Sequence, residues 1–277
     1  MPTPKLVEKE ELIAQISTIF EAGWHKSVKS TIDNSNDGAV GNTLEKLLGI
    51  PENNLPIPNA REWELKGQRS HTKSLVTLKH VEPSPRASKI VPLVLLPKYG
   101  WPHKNAGKLV GEKTYPSNER SFRSTTSALS PTNRGFQVVV DRRQEKLRFV
   151  FDSAKADSSD PEIAVWLAAV KRAAGNLGPL VPEPYWGFDD LGPLIATKLL
   201  NCFYVVAETK KIDGREYFKY VSLYVLSGFS FDKFLDAMES GAVFIDFDAR
   251  TGHNHGTKFR LKQGYWTHLY SDVKKRI

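Results

Sequence analysis

Short strand-like segments rich in apolar residues run through most of this chain, and four of them come in pairs joined by turn residues. FQVVVD and KLRFVFD bracket Arg142 to Glu145, and ATKLLNCFYVVAE and EYFKYVSLYVL meet around KIDGR, whose glycine suits a tight reversal. EWELK, SLVTLKHVE, KIVPLVLLP and AVFIDFDAR also read as strands. Helices interrupt them without rhythm. Glu8 to Gly23 carries Leu12, Ile16, Ile19 and Phe20 at spacings of three and four. TLEKLL runs from an Asn42 cap to Gly49, with Leu44, Leu47 and Leu48 expected inward and Glu45 beside them. Asp160-Pro161 opens EIAVWLAAVKRAA, which Gly175 stops, and Ser230 opens SFDKFLDAMES, which Gly241 stops. The absence of a regular βαβ alternation predicts an α+β fold with a mixed sheet. Residues 98–134, rich in Gly, Pro, Ser, Lys and Arg, read as long loops with little core, and TGHNHGTKFR as a loop leading to a basic tail.

Composition narrows the function classes. Lys and Arg total 39 against 31 Asp and Glu, for a net charge of +8, which suits a polyanionic partner because each cation on a phosphate releases a counterion. No window approaches the run of about 18 apolar residues a membrane span needs. The start, MPTPKLVEKEEL, carries acids where a signal peptide would be apolar, so a cytoplasmic location is expected. Cys202 is the single cysteine and sits in an apolar run, which excludes an intrachain disulfide and a cysteine metal cage. The six tryptophans are scattered and read as packing residues.

Candidate chemistry gathers between positions 45 and 66. Glu64 and Lys66 share one face of a strand, because side chains alternate across it. A hard divalent ion such as Mg²⁺ takes oxygen ligands, which Glu64 and a group at position 59 could supply. Lys66 would then orient a nucleophilic water or offset charge on a pentavalent phosphoryl transition state. Glu-x-Lys alone is a common triplet on solvated strands.

The longer stretch NTLEKLLGIPENNLPIPNAREWELKGQR resembles the active-site region of the MvaI/BcnI family of type II restriction endonucleases, relatives of MutH within the PD-(D/E)xK nucleases. SLVTLKHVEP, KYGWP, TNRGFQVVVD, GFSFDKFLDAMESGAVFIDFDAR and GHNHGTKFR resemble further family blocks, from about Thr43 to the C-terminus. The resemblance implies catalytic roles for Glu45, Glu64 and Lys66, with Mg²⁺ held at Glu64 and at position 59. That position is Asn59 where the family carries aspartate, and an amide oxygen without net charge holds Mg²⁺ less strongly. Either the aspartate was deliberately replaced, which the otherwise intact site favours, or the chain is a natural weakened or inactive member. The resemblance further implies a two-lobed restriction-endonuclease-like chain forming a DNA cleft. Residues 1–97 and part of 136–175 would form a catalytic lobe, and 98–135 with 176–277 a recognition lobe. It also implies double-stranded DNA as partner, a short G·C-rich pseudopalindromic target of the CC-N-GG kind, a monomer nicking each strand in turn, and a companion DNA methyltransferase acting on the same site.

Thr251 to Arg260 reads as a base-reading loop. His, Asn, Lys and Arg supply donors and acceptors, and the flanking glycines permit close backbone approach. In similar enzymes histidines from this block and from the strand after ExK reach the central base pair, which here implies His255, with His253 less directly, and His80. Lys258, Arg260, Arg134, Arg120 and Arg123 complete the DNA-binding candidates, unsorted between phosphate and base contacts. Asp246 and Asp248 read as structural residues that hydrogen-bond to the loop following them. Two other readings stay open, a catalytically silent sequence-specific DNA-binding protein and a MutH-like repair nickase.

Overall fold

The computed structural model describes residues 9–29, 38–50, 62–70 and 73–277. The fold is mixed α+β. In chain order come α1 (Lys9–Glu21), β1 (Trp24–Lys26), α2 (Ala39–Leu47), β2 (Trp63–Arg69) and β3 (Val76–His80). A π-helical segment, Val91–Tyr99, precedes β4 (Trp101–Pro102), β5 (Leu109–Val110), β6 (Lys113–Thr114) and β7 (Arg120–Thr126). Next are β8 (Arg134–Asp141), β9 (Lys146–Ala156), α3 (Pro161–Ala174), β10 (Tyr185–Gly187) and α4 (Phe188–Leu199). The chain ends with β11 (Asn201–Ile212), β12 (Arg215–Phe229), α5 (Phe231–Glu239), β13 (Val243–Arg250), β14 (His253–Leu261) and β15 (Tyr270–Lys275). No helix among the described residues is long and apolar enough to cross a membrane.

The chain divides into two compact units. The first takes residues 1–76, 194–233 and 262–277, and the second 77–193 and 234–261. Residues 201–229 join the first unit because β11 pairs in parallel with β2, with Cys202 opposite Glu64 and Tyr204 opposite Lys66.

In the first unit the sheet order is β1-β12-β11-β2, and β15 pairs with the far half of β12. Asp213 and Gly214 both take positive φ, the geometry of the tight turn between β11 and β12. One sheet face carries Leu65, Phe203, Val205 and Phe218, covered by the Leu12, Ile16, Phe20 stripe of α1 and by Val40 and Leu44 of α2. Helix α2 sits very close to the sheet. A Cβ on Gly67 would lie 2.8 Å from the Gly41 nitrogen and 2.9 Å from Val40 Cγ1. Gly67→Ala is therefore expected to push α2 off the strand and cost about 1–3 kcal/mol, read as a lower urea midpoint at unchanged slope.

Aromatic rings form the core of the second unit. Sheet β3-β14-β13-β7-β4 contributes Phe122, Phe247 and Phe259, and sheet β10-β9-β8 contributes Trp186, Phe149, Phe151 and Phe136. Phe149 and Phe247 lie 4.5 Å apart between centroids, and Phe136 stacks on Phe149 at 5.3 Å. Helix α3 adds Trp166, whose indole N–H donates to the Tyr99 carbonyl at 2.9 Å. Its first turn is capped by Asp160, which accepts from the Glu162 amide at 2.8 Å, and Gly175 closes it at φ 86°.

Several local expectations are corrected. KIVPLVLLP is helical rather than extended, burying Val91, Leu95, Leu96 and Tyr99 at the wide spacing of a π-helix. ATKLL is the end of α4, not the start of β11. The 98–134 segment contains β7, a strand inside the sheet with Phe122 fully buried, so it does contribute core. TGHNHGTKFR is mostly strand β14, and the basic tail is β15. Leu47 faces solvent, because α2 begins at Ala39 and turns Ala39, Val40, Thr43 and Leu44 inward. Trp24 is 36% exposed beneath Lys210, while Trp63, Trp166, Trp186 and Trp266 are buried.

Candidate active site and nucleic-acid interface

Leu65 and Gly67 face α2, so Glu64 and Lys66 occupy the opposite side of β2. Glu64 is only 2% exposed, and Lys66 Nζ lies 2.7 Å from its Oε1. Lys198, in the last turn of α4, brings a second ammonium within 3.5 Å of the same oxygen. Glu64 Oε2 is buried and has no hydrogen-bond partner among the described residues. On the same side, the Tyr204 hydroxyl donates to Gln68 Oε1 at 2.6 Å, and Cys202 is fully buried, which pushes its thiol pKa up.

An orphaned carboxylate oxygen beside a lysine is the donor a hard cation would use, and Mg²⁺ bound through one or two carboxylates plus substrate phosphate needs no larger protein cage. No group of three His, Cys, Asp or Glu that could hold a metal occurs among the described residues. Asn59 lies outside the described residues. Glu45 rides on α2, which covers the Leu65–Gly67 side. It lines a cavity of about 460 Å³ with Lys29, Asn42, Lys46 and Ile50, and neither Glu64 nor Lys66 is among its described walls. The structure thus joins Glu64 to Lys66 and places Glu45 on an element against the other face.

The second cluster lies on β14, within the second unit. His253 and His255 are exposed, with nearly parallel rings 6.2 Å apart, and His80 is exposed at the end of β3, the strand beside β14. A Cβ on Gly256 would come within 3.4 Å of His80 Nδ1, so glycine keeps the two strands close here. Arg250, and secondarily slight burial and Lys113, hold the His253 pKa below the ordinary histidine value. The shift favours the neutral ring, in which one nitrogen accepts and the other donates. Glu82, which sequence reasoning missed, anchors this strand by accepting from the Thr257 amide at 3.0 Å and hydroxyl at 3.1 Å. Its only sequence signal is its place two residues beyond His80.

Alternation along β14 puts Lys258 and Arg260 on the polar face of the sheet. Lys258 lies 3.2 Å from Asp248, which in turn lies 2.8 Å from Arg123 on β7. Arg260 lies 3.2 Å from Asp246, which accepts from the Thr125 hydroxyl at 2.9 Å. Both aspartates have the structural role expected of them, but as cross-strand partners of β14 and β7 rather than of a following loop. Burial alone would raise the Asp248 pKa, but the Lys258 hydrogen bond and the Arg123 charge hold it below the usual carboxylate value. Arg120 donates from its amide to Thr251 Oγ1 at 2.9 Å and from its guanidinium to the Gly100 carbonyl. Arg134 stacks over the Trp101 ring at 4.4 Å, and burial lowers its pKa. Arg120, Arg123 and Arg134 share the walls of a cavity of about 980 Å³ with Trp101, His103 and Trp166.

The model of the MvaI/BcnI restriction endonuclease family matches residues 13–270. The chain belongs to this family. Membership makes it a type II site-specific deoxyribonuclease by descent. Two solved structures share the fold over 100% of both chains at 21% identity. They are the restriction endonuclease MvaI in complex with its cognate DNA substrate, at a TM-score of 0.72, and MvaI in the absence of DNA, at 0.51. Comparison with curated proteins gives no match.

Proposed function

We propose that this member of the MvaI/BcnI family hydrolyses DNA phosphodiesters at a short, G·C-rich pseudopalindromic site of the CC-N-GG kind. In this reading it acts as a monomer in the bacterial cytoplasm, nicking the two strands in turn, alongside a methyltransferase that protects the same site. The observation that carries the chemistry is the buried Glu64–Lys66 ion pair, whose Oε2 has no partner among the described residues.

Glu64, with the residue at position 59, would hold Mg²⁺, which when bound polarises the phosphoryl oxygen and lowers the pKa of a bound water. Lys66, fixed against Glu64 Oε1, would offset the charge that builds on the phosphoryl oxygens as the water oxygen adds and the leaving oxygen departs. Base reading falls to His255, His253 and His80, whose strands Glu82 fastens together. Lys258, Arg260, Arg123, Arg120 and Arg134 supply cations for phosphates and base edges.

Asn59 weakens metal binding, so this chain is an inactivated variant that binds its site and cuts slowly or not at all. A binding-only protein is the second reading, and Asn59 is the observation that favours it. Selection of random duplexes in Ca²⁺, followed by sequencing, tests the shared part. One short G·C-rich sequence should be enriched, and His255→Ala should relax preference at its central pair. Recovery without sequence preference would sink both readings.

A further inference from the structure

Two ammonium groups converge on one buried carboxylate oxygen, and the nuclease reading accounts for only one of them. Lys66 stands two residues along the strand from Glu64, and Lys198 arrives from the last turn of α4. Leu191, Ile195 and Leu199 form the fully buried stripe of α4, and Lys198 flanks it three residues after Ile195. The helix then runs into β11, whose Cys202 is in register with Glu64. Helix packing and strand register together therefore deliver Lys198 to this point.

Both lysines are mostly shielded from water, at 16% and 22% exposure, and Glu64 is the only acid paired with either among the described residues. One carboxylate offsets one ammonium. A second ammonium withdrawn from water without its own counter-charge is unfavourable, and it is retained where an anion completes the set. On a chain whose substrate is DNA, that anion is a phosphodiester, whose two non-bridging oxygens can take one lysine each.

We propose that Lys198 is a second phosphate-binding cation of this site, holding a non-bridging oxygen of the phosphodiester to be cut while Lys66 holds the other. The assignment rests on the nuclease reading and adds to it a residue from a distant part of the chain. It also makes DNA binding at this site independent of a metal, which suits a chain carrying Asn59.

The test measures binding of the selected duplex across a salt series in EDTA, and single-turnover cleavage in Mg²⁺ in the Asn59→Asp background. Lys198→Met should flatten the log–log salt dependence by about 0.9, the value of one lost phosphate contact, while Lys198→Arg keeps the original slope. In the Asn59→Asp background, Lys198→Met should slow cleavage about a hundredfold, the usual cost of one lost transition-state donor. If Lys198→Met melts early, Lys198→Gln, which keeps length and polarity, carries the same readouts. An unchanged slope with an unchanged rate overturns the assignment while the nuclease reading stands. Failure of the Asn59→Asp protein to bind or cut any duplex overturns the nuclease reading itself.

Discussion

Asn59→Asp is expected to raise cleavage of unmethylated phage DNA in Mg²⁺ by about a thousandfold, with every fragment ending at one short sequence. A metal ion contributes several kcal/mol to charge stabilisation in phosphoryl transfer, and each 1.4 kcal/mol is tenfold in rate. An amide oxygen carries no net charge, so with asparagine at position 59 Glu64 is the only charged ligand of the proposed pair. The lysines on the other Glu64 oxygen add to the difficulty, because they already balance that carboxylate. A second carboxylate restores a net attraction for a divalent ion. If both proteins stay silent while one sequence is still selected, the binding-only reading takes over. If both cut equally fast, position 59 is not a metal ligand.

Glu64→Gln, made in the same background, should abolish that cleavage by a factor of at least about a thousand and leave sequence-specific binding in Ca²⁺ within a few fold. The substitution keeps the shape of a side chain that is 2% exposed, so the packing around Cys202 and Tyr204 is preserved. What it removes is the charge facing Lys66 and Lys198. Those two ammoniums then lose the Glu64 counter-charge, and binding in EDTA should tighten as phosphate takes its place. In the proposed reading specificity lies on a different sheet, in the β14 histidines and the Lys258 and Arg260 ladder, and should be untouched. Loss of specific binding as complete as the loss of cutting would refute this separation of roles.

Much of the fold was legible where local chemistry and tertiary packing agree. Asp160-Pro161 and Gly175 mark the ends of α3, and the Leu12–Phe20 stripe marks α1, because caps and a 3.6-residue period act within one element. The same holds for Glu64 and Lys66, which two-residue spacing places on one face. Readings failed where a run of apolar residues crosses an element boundary without punctuation. Leu199-Leu200-Asn201 joins α4 to β11 with no glycine or proline at the join, so helix and strand merge into one apparent run. KIVPLVLLP is short and continuously apolar, a pattern that fits a buried strand and a buried helix equally. RSFRSTT carries one large apolar residue, and only the neighbouring strands reveal that it lies inside a sheet. Lys198 left no local signal at all, since it reaches Glu64 through a pairing between strands far apart in the chain.

The tryptophans divide evenly, with Trp24, Trp63 and Trp266 in the first unit and Trp101, Trp166 and Trp186 in the second. Trp63 directly precedes Glu64, is 6% exposed, and packs against Phe203 at 4.6 Å. The chain thereby carries an optical reporter one residue from its candidate active site. With the other five tryptophans replaced by phenylalanine, emission would come from Trp63 alone, and changes around the Glu64 strand could be followed by fluorescence without attaching a dye.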